Sequence, residues 1–390
     1  MSFKPRDPLH VLVVDDSAVV REVMSAVLSQ EPGVSVITAA DPLIAMIKMA
    51  RQRPNVIVLD LEMPRMGGLE FLRKIMSENP IPVVVCSAHV GEGSAMTLQA
   101  LEAGAVDVVA KPSVGVRQFI HESAVALIDA VRAAANARFR CKPRAPEPTQ
   151  QSADAVLPAK SAATPTPGSD RLVAVGASTG GTEALRLFLE AMPEDAPGVV
   201  VVQHMPEGFT AAFAERLNAT CRIKVKEAAQ GDVIVNGRAL IAPGNRHILV
   251  RRDGSGYVAE IIDGPLVSRH RPSVDVLFRS VAQAAGPHGV GVIMTGMGND
   301  GAQGLYEMKR AGAFTIAQDE ETCVVFGMSK EAIERGAVCA VAPLSQIPGI
   351  VLTGLSNRAA PAGSGMQANG TAIRINDTDF QNIQTRRNVP

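Results

Sequence analysis

Short apolar runs alternate with longer stretches of helical period through the first third of the chain. LHVLVV, VSVIT, NVIVLD, IPVVVCS and VDVVA, all between Leu9 and Ala110, are rich in β-branched residues and apolar on both alternating faces. Runs of this length and composition predict strands buried on both sides, and such strands must be joined by crossover helices. Residues 1–138 are therefore expected to form a five-stranded, doubly wound parallel sheet. Residues 139–170 lose the pattern, and six prolines fall between Cys141 and Asp170. That composition predicts an extended, semi-rigid linker.

The alternation resumes at Arg171 with LVAVGAS and GVVVVQH, and later GVGVIMTG and AFTIAQD, which predicts a second doubly wound α/β sheet over residues 171–357. Between these runs lie ALIAP, HILVRR and YVAEII, bounded by turn residues in the manner of antiparallel hairpins. An added antiparallel region is expected there. Residues 358–390 are poor in large apolar groups, and most of that tail is expected to be disordered.

Composition narrows the function classes. The chain has 390 residues, enough for two or three domains. Its 38 basic and 39 acidic residues give a formal charge of −1, so nothing global draws it to nucleic acid or to an anionic membrane. No DNA partner and no direct membrane insertion are expected. The five cysteines are widely spaced, with no metal-binding arrangement. With no signal peptide at the amino terminus and no apolar run near the roughly 20 residues of a membrane span, the expected location is cytoplasmic.

Candidate chemistry gathers at strand carboxyl ends, where open α/β sheets place their sites. In the first domain these ends carry Asp15 and Asp16, then Asp60, Ser87 and Lys111. Three carboxylates at one edge repel each other unless a divalent cation sits among them, and an all-oxygen set suits Mg²⁺. With a lysine and a hydroxyl opposite, the arrangement suits acceptance of a phosphoryl group. Strand-end aspartates also cap helices, and Asp16 or Ser17 is placed to do so.

In the second domain AVGASTGGTEAL puts Ser178 between a strand and a helix start, among Gly176, Gly180 and Gly181. Backbone N–H groups and a helix dipole near a serine favour an oxyanion. His204 ends the next apolar run, and Asp300 lies in the glycine-rich TGMGNDGA loop. A serine needs a base to take its proton, and a carboxylate fixes the tautomer of the imidazole that does so. Each residue alone has a plainer role, as a helix cap for Ser178 and Asp300 or a strand-end histidine for His204. A dinucleotide-binding turn is a rival reading of GASTGG, although it wants an acid where Gln203 and His204 stand. His247 and His270, flanked by arginines, are expected at the surface.

The strings VVDDS, VLDLEMPRMGG, VVVCSA and GAVDVVAKP over about residues 8–130 resemble the receiver domain of two-component response regulators. The resemblance implies Asp60 as phosphoacceptor, Mg²⁺ on Asp15, Asp16, Asp60 and the carbonyl of Glu62, and Ser87 and Lys111 as the phosphoryl switch. Receivers commonly carry Tyr or Phe where this chain has Val108, so a rotating aromatic cannot report phosphorylation here. GASTGG, QHMP and TGMGNDGA over about residues 171–355 resemble the chemotaxis protein-glutamate methylesterases of the CheB family.

That resemblance implies a Ser178–His204–Asp300 triad with Thr179 and Met297 in the active-site loops, Met297 N–H being an oxyanion donor. It implies demethylation of glutamyl esters and deamidation of glutamines on chemoreceptor helices, with no cofactor for hydrolysis and a chemotaxis histidine kinase as phosphodonor. The receiver is expected to restrain activity until Asp60 is phosphorylated. A non-catalytic receptor-binding output and a nucleotide-dependent enzyme stay open.

Overall fold

The computed structural model describes residues 8–63, 66–87, 92–111, 117–137, 171–356 and 373–374. The expected linker, and most of the expected disordered tail, lie outside the described residues. The first domain contains β1 (Leu9–Val14), α1 (Ala18–Ser29), β2 (Val34–Ala39), α2 (Pro42–Arg51) and β3 (Val56–Asp60). These are followed by α3 (Gly68–Glu78), β4 (Val83–Ser87), α4 (Glu92–Glu102), β5 (Asp107–Ala110) and α5 (Arg117–Ala135). The five strands form one parallel sheet in the order β2-β1-β3-β4-β5. The apolar runs predict this directly, since every residue of β3 and β4 is buried. One sheet face packs against α2, α3 and α4 through Ala45, Phe71, Leu72 and Ala100. The other packs against α1 and α5 through Met24, Leu28, Leu127 and Val131.

Helix starts follow local side-chain chemistry. Ser17 Oγ accepts the N–H of Val20 and caps α1. Asp41 accepts the N–H of Ile44 and caps α2, where Pro42 supplies the preset φ of a first-turn residue.

The second domain begins with β6 (Leu172–Ala177), α6 (Gly181–Glu190), β7 (Gly198–Gln203), α7 (Thr210–Thr220), β8 (Lys224–Glu227), β9 (Val233–Ile234) and β10 (Arg238–Ile241). It continues with β11 (His247–Asp253), β12 (Gly256–Ile262), α8 (Val274–Ala284), β13 (Gly289–Ile293), α9 (Ala302–Arg310) and β14 (Phe314–Gln318). It closes with α10 (Met328–Glu334), β15 (Ala340–Ala342), α11 (Ile347–Ser356) and β16 (Ile373–Arg374). The main sheet runs β16-β15-β14-β13-β6-β7-β10-β8 and is parallel throughout, while β11, β12 and β9 form a separate antiparallel sheet.

One expectation changes. ALIAP forms β10, a parallel member of the main sheet, rather than part of a hairpin. Its apolar residues Ala239, Leu240 and Ile241 are wholly buried, which marks a strand covered on both faces. The antiparallel region reduces to the β11–β12 hairpin with β9.

The two domains share apolar contacts. Leu98 of α4 lies within the core cluster formed by β6, β7, α6 and α7. In the other direction, Val324 packs against the cluster of α1 and α5. Four of the five cysteines, Cys86, Cys221, Cys323 and Cys339, are free thiols, and burial pushes the Cys323 thiol up to about 12. No helix among the described residues is long and apolar enough to cross a membrane.

Candidate functional site

Strands β13, β6 and β7 are neighbours in the main sheet, so the segments that follow their carboxyl ends converge. Ser178 follows β6, His204 follows β7, and Asp300 comes from the loop after β13. The local sequence makes room for the serine. Gly180 adopts φ +76° and opens α6, where a Cβ would lie 2.6 Å from Val324 Cβ. A Cβ at Gly296 would lie 2.8 Å from Ser178 Cβ and 2.3 Å from Met328 Sδ, so only glycine permits this approach. Gln203 then fixes the turn, its amide donating to the carbonyls of Ser178 and His204 at 2.9 and 3.2 Å.

His204 Nε2 donates to Asp300 Oδ2 at 2.8 Å, and the carboxylate is 1% exposed. Asp300 does not cap its own downstream helix, the plainer role considered from sequence. It sits instead at the amino end of α8. Ser273 Oγ donates to Oδ1 at 2.8 Å, Asp275 N–H to Oδ1 at 3.0 Å and Val274 N–H to Oδ2 at 2.8 Å. Burial alone drives this carboxyl up, but the His204 bond and charge and the α8 amides outweigh it and hold Asp300 below the usual range. With Nε2 committed to Asp300, Nδ1 of His204 is buried and has no hydrogen-bond partner among the described residues. That lone pair is the available base.

Both histidines expected at the surface are packed instead. His247 is 2% exposed, its Nδ1 accepts from Ser273 N–H at 3.2 Å and its Nε2 lies 2.9 Å from the Pro265 carbonyl. His270 stacks on His204 with centroids 3.6 Å apart and planes 6° from parallel. The flanking arginines point to solvent, but ring stacking and backbone partners hold both imidazoles against the domain, His247 buried and His270 half-buried. His270 Nδ1 donates to the Ser268 carbonyl at 2.7 Å. Burial and the neighbouring His204 lower its pKa to about 3, so it stays neutral beside the base.

His204, His270 and Asp300 each place a ligand atom within 4.8 Å of the others. Two parallel stacked rings direct their in-plane lone pairs side by side, however, and Asp300 is already saturated by donors. The trio is a stacked, hydrogen-bonded unit rather than a cation cage.

Ser178 is 9% exposed and lines a cleft of about 360 Å³ with His204, Met297 and, from the first domain, Asp107, Val108 and Asp129. Thr179 Oγ1 donates to Asp107 Oδ2 at 2.7 Å, so the residue after the serine is tied to the end of β5. Burial raises the Asp107 carboxyl despite the Thr179 and Val108 hydrogen bonds. Val108 itself is 7% exposed, in the core of the first domain.

At the edge of the first sheet, Asp15, Asp16 and Asp60 bring one carboxylate oxygen each within 4.8 Å of the others. Asp15 and Asp60 are both 1% exposed, and Lys111 Nζ lies 3.2 Å from Asp15 Oδ2 and 2.7 Å from Asp60 Oδ2. Asp60 Oδ1 accepts the N–H of Glu62 at 3.1 Å. Ser87 is buried at the end of β4, and its carbonyl accepts the Lys111 N–H at 2.9 Å. Burial raises the Asp60 carboxyl against the pull of Lys111. It also works to lower the Lys111 ammonium, but Asp60 and Asp15 outweigh it and raise that pKa. One lysine facing two buried carboxylates leaves an oxygen-rich, net-negative pocket, a donor set able to hold a divalent cation.

Residues 173–373 match the CheB methylesterase family model, and residues 11–121 match the response regulator receiver domain. The chain belongs to the CheB methylesterase family. It is 61% identical to protein-glutamate methylesterase/protein-glutamine glutaminase 5 of Anaeromyxobacter dehalogenans, over 87% of this chain and 95% of that one. A second relative, protein-glutamate methylesterase/protein-glutamine glutaminase 3 of Geobacter metallireducens, is 57% identical over 88% and 98%. Among solved structures, the Thermotoga maritima CheB methylesterase catalytic domain is 38% identical, with a TM-score of 0.47, covering 47% of this chain and 98% of that one.

Two outcomes test this geometry. His270 with its pKa lowered from 6.5 to about 3 is neutral when folded and protonated when unfolded between those values, so folding stability rises with pH across that window. Between pH 5 and 7 the gain is roughly 2 kcal/mol, and His270→Asn should remove it in urea titrations. Parallel pH profiles for variant and wild type would disprove the neutral stack. Gly296→Ala should displace Ser178 and cut turnover at least about tenfold while the fold persists at a cost of about 1–3 kcal/mol. Wild-type kinetics in that variant would show that the approach is not tight.

Proposed function

We propose that this chain is a phosphorylation-controlled protein-glutamate methylesterase and protein-glutamine glutaminase of the cytoplasm. Its substrates are the cytoplasmic helices of chemoreceptors. The observation that carries the reading is the His204–Asp300 pair with Nδ1 unpartnered, in the cleft lined by Ser178.

In this reading His204 Nδ1 takes the Ser178 proton as the serine oxygen attacks the γ-carbonyl of the substrate. The imidazolium that forms is stabilised by Asp300, whose charge is fixed by the α8 amides. The Met297 N–H, in the wall of the same cleft, receives the developing oxyanion. Collapse of the tetrahedral intermediate expels methanol from an ester, or ammonia from an amide, with the proton returned by His204. Water, deprotonated by the same nitrogen, then cleaves the acyl-serine and leaves a glutamate carboxylate. No cofactor enters this sequence. His270 supports it by bracing the His204 ring without adding a like charge.

In the receiver, a chemotaxis histidine kinase donates its phosphoryl group to Asp60. Asp15, Asp16, Asp60 and the Glu62 carbonyl would hold Mg²⁺, which when bound neutralises the phosphoryl oxygens. Lys111 supplies the opposing fixed charge and Ser87 a hydroxyl to the phosphoryl group. With Val108 in place of an aromatic switch, the signal leaves β5 by the neighbouring Asp107, whose bond to Thr179 restrains the serine loop.

Methanol release from methylated receptor membranes tests the reading. Wild type should be stimulated by a small-molecule phosphodonor with Mg²⁺, and Ser178→Ala should lose at least about a thousandfold in kcat while keeping its unfolding profile. Near wild-type release by Ser178→Ala would sink the assignment. Folded wild type with no release would favour a receptor-binding module instead.

A further inference from the structure

Val267 and His270 exchange backbone hydrogen bonds at 3.0 and 2.9 Å around a two-residue turn. Its central residues, Ser268 and Arg269, have φ values of +50° and +71°. Two successive left-handed positions make a type I′ turn, which favours Asn-Gly. An arginine there costs about 1 kcal/mol or more of backbone strain relative to glycine. The turn is locked by Ser268 Oγ on Asp275 Oδ2 at 3.1 Å and by His270 Nδ1 on the Ser268 carbonyl at 2.7 Å. His270 faces the catalytic imidazole, which explains why the turn is held. It does not explain why the strained position carries a long cation.

Arg269 points across the cleft to the other domain, where Nη2 lies 3.1 Å from Asp129 Oδ2 on α5. The two neighbouring arginines do different things. Arg271 is consumed within its own domain, donating Nε and Nη2 to Asn245 Oδ1 at 2.9 and 2.6 Å and Nη1 to the Gly264 carbonyl at 2.5 Å. Among the described residues Asp129 is the carboxylate that Arg269 pairs with, and the Arg269 side chain is still 59% exposed. Burial raises the Asp129 carboxyl against the pull of Arg269 and Arg132. A half-exposed pair of this kind is weak enough to open reversibly. It stands in the same cleft as Ser178 and His204, at a place where one helix already presents a carboxylate to the catalytic domain.

Resting on the function proposed above, we infer that Arg269 is a substrate-recognition residue for an acidic helix and that α5 of the receiver occupies it as a mimic. At rest, Asp129 takes the guanidinium; when the receiver withdraws, a carboxylate neighbouring the target side chain on the receptor helix replaces it. The chemistry fits the substrate, because each turnover leaves another carboxylate on that helix. Charge complementarity at the cleft rim then serves both to hold the restrained form and to dock the substrate. Arg216 on α7, paired with Glu102 on α4, repeats the same polarity elsewhere on the domain boundary.

The full chain and methylated receptor membranes test this. Asp129→Asn should raise methanol release without phosphodonor at least about threefold and leave the phosphodonor-saturated rate within about twofold of wild type. Arg269→Gly relieves the turn, so its melting temperature should be no lower than wild type. Its KM for receptor with phosphodonor should nevertheless rise about tenfold with kcat within about twofold, and Arg269→Lys should restore part of the loss. In the Arg269→Gly background, Asp129→Asn should add nothing to the resting rate, because the two residues act as one pair.

A wild-type resting rate in Asp129→Asn, or an unchanged KM in Arg269→Gly, overturns the inference. Binding of Ser178→Ala and Ser178→Ala/Arg269→Gly chains to the same membranes separates it from the functional reading. Weaker binding of the double variant supports recognition by Arg269 even if wild type releases no methanol. Equal binding rejects it even if wild type is active.

Discussion

A carboxylate that is almost fully buried has to be satisfied from every side or it protonates, and the catalytic domain is arranged around that requirement. Asp300 accepts from His204, from the Ser273 hydroxyl and from two amides at the start of α8. The helix thus provides fixed partial charge where a solvent shell would otherwise be needed. Because Asp300 is held as an anion, Nε2 of His204 is held as its donor, and the proton-accepting nitrogen is defined as Nδ1. Orientation of the base therefore follows from the docking of α8 on β6 and β13.

The cleft is shared between domains. Its walls come from the loops after β6, β7 and β13, but also from β5 and α5 of the receiver. Leu98 contributes to the catalytic core, and Thr179 is bonded to Asp107. The receiver carboxylates Asp107, Glu102 and Asp129 meet Thr179, Arg216 and Arg269 respectively. Polar contacts around a small apolar patch resemble a transient interface more than a core, and such an interface can be repartitioned by a modest change in charge at one domain. The acidic pocket lies at the carboxyl end of the receiver sheet, so β5, which runs from Asp107 to Ala110 and leads into Lys111, links that pocket to the serine loop by one extended segment.

The strand-rich first domain was legible from apolar runs because its sheet is covered on both faces, and the same held for β6, β7, β13 and β14. ALIAP misled because five residues bounded by turns fit either a hairpin or a buried parallel strand. Ser178, His204 and Asp300 were visible as strand-end residues of complementary chemistry. His270 was not, since stacking against His204 joins segments 66 residues apart in number and leaves no local pattern. Asp107 and Arg269 were missed for a similar reason, as their partners belong to the other domain.

The sequence by itself determined the two α/β domains, the acidic edge of Asp15, Asp16 and Asp60, and the residue types available for nucleophilic chemistry. Each of these depends on short-range periodicity or on the rule that parallel strands end on a common edge. Only the tertiary structure decided which nitrogen of His204 is free, that Asp300 is anchored by α8 rather than by its own helix, and that a strained Ser268–Arg269 turn faces the receiver. Those outcomes depend on hydrogen-bond saturation of buried groups and on charge pairing between distant segments, and both are properties of packed geometry rather than of spacing along the chain.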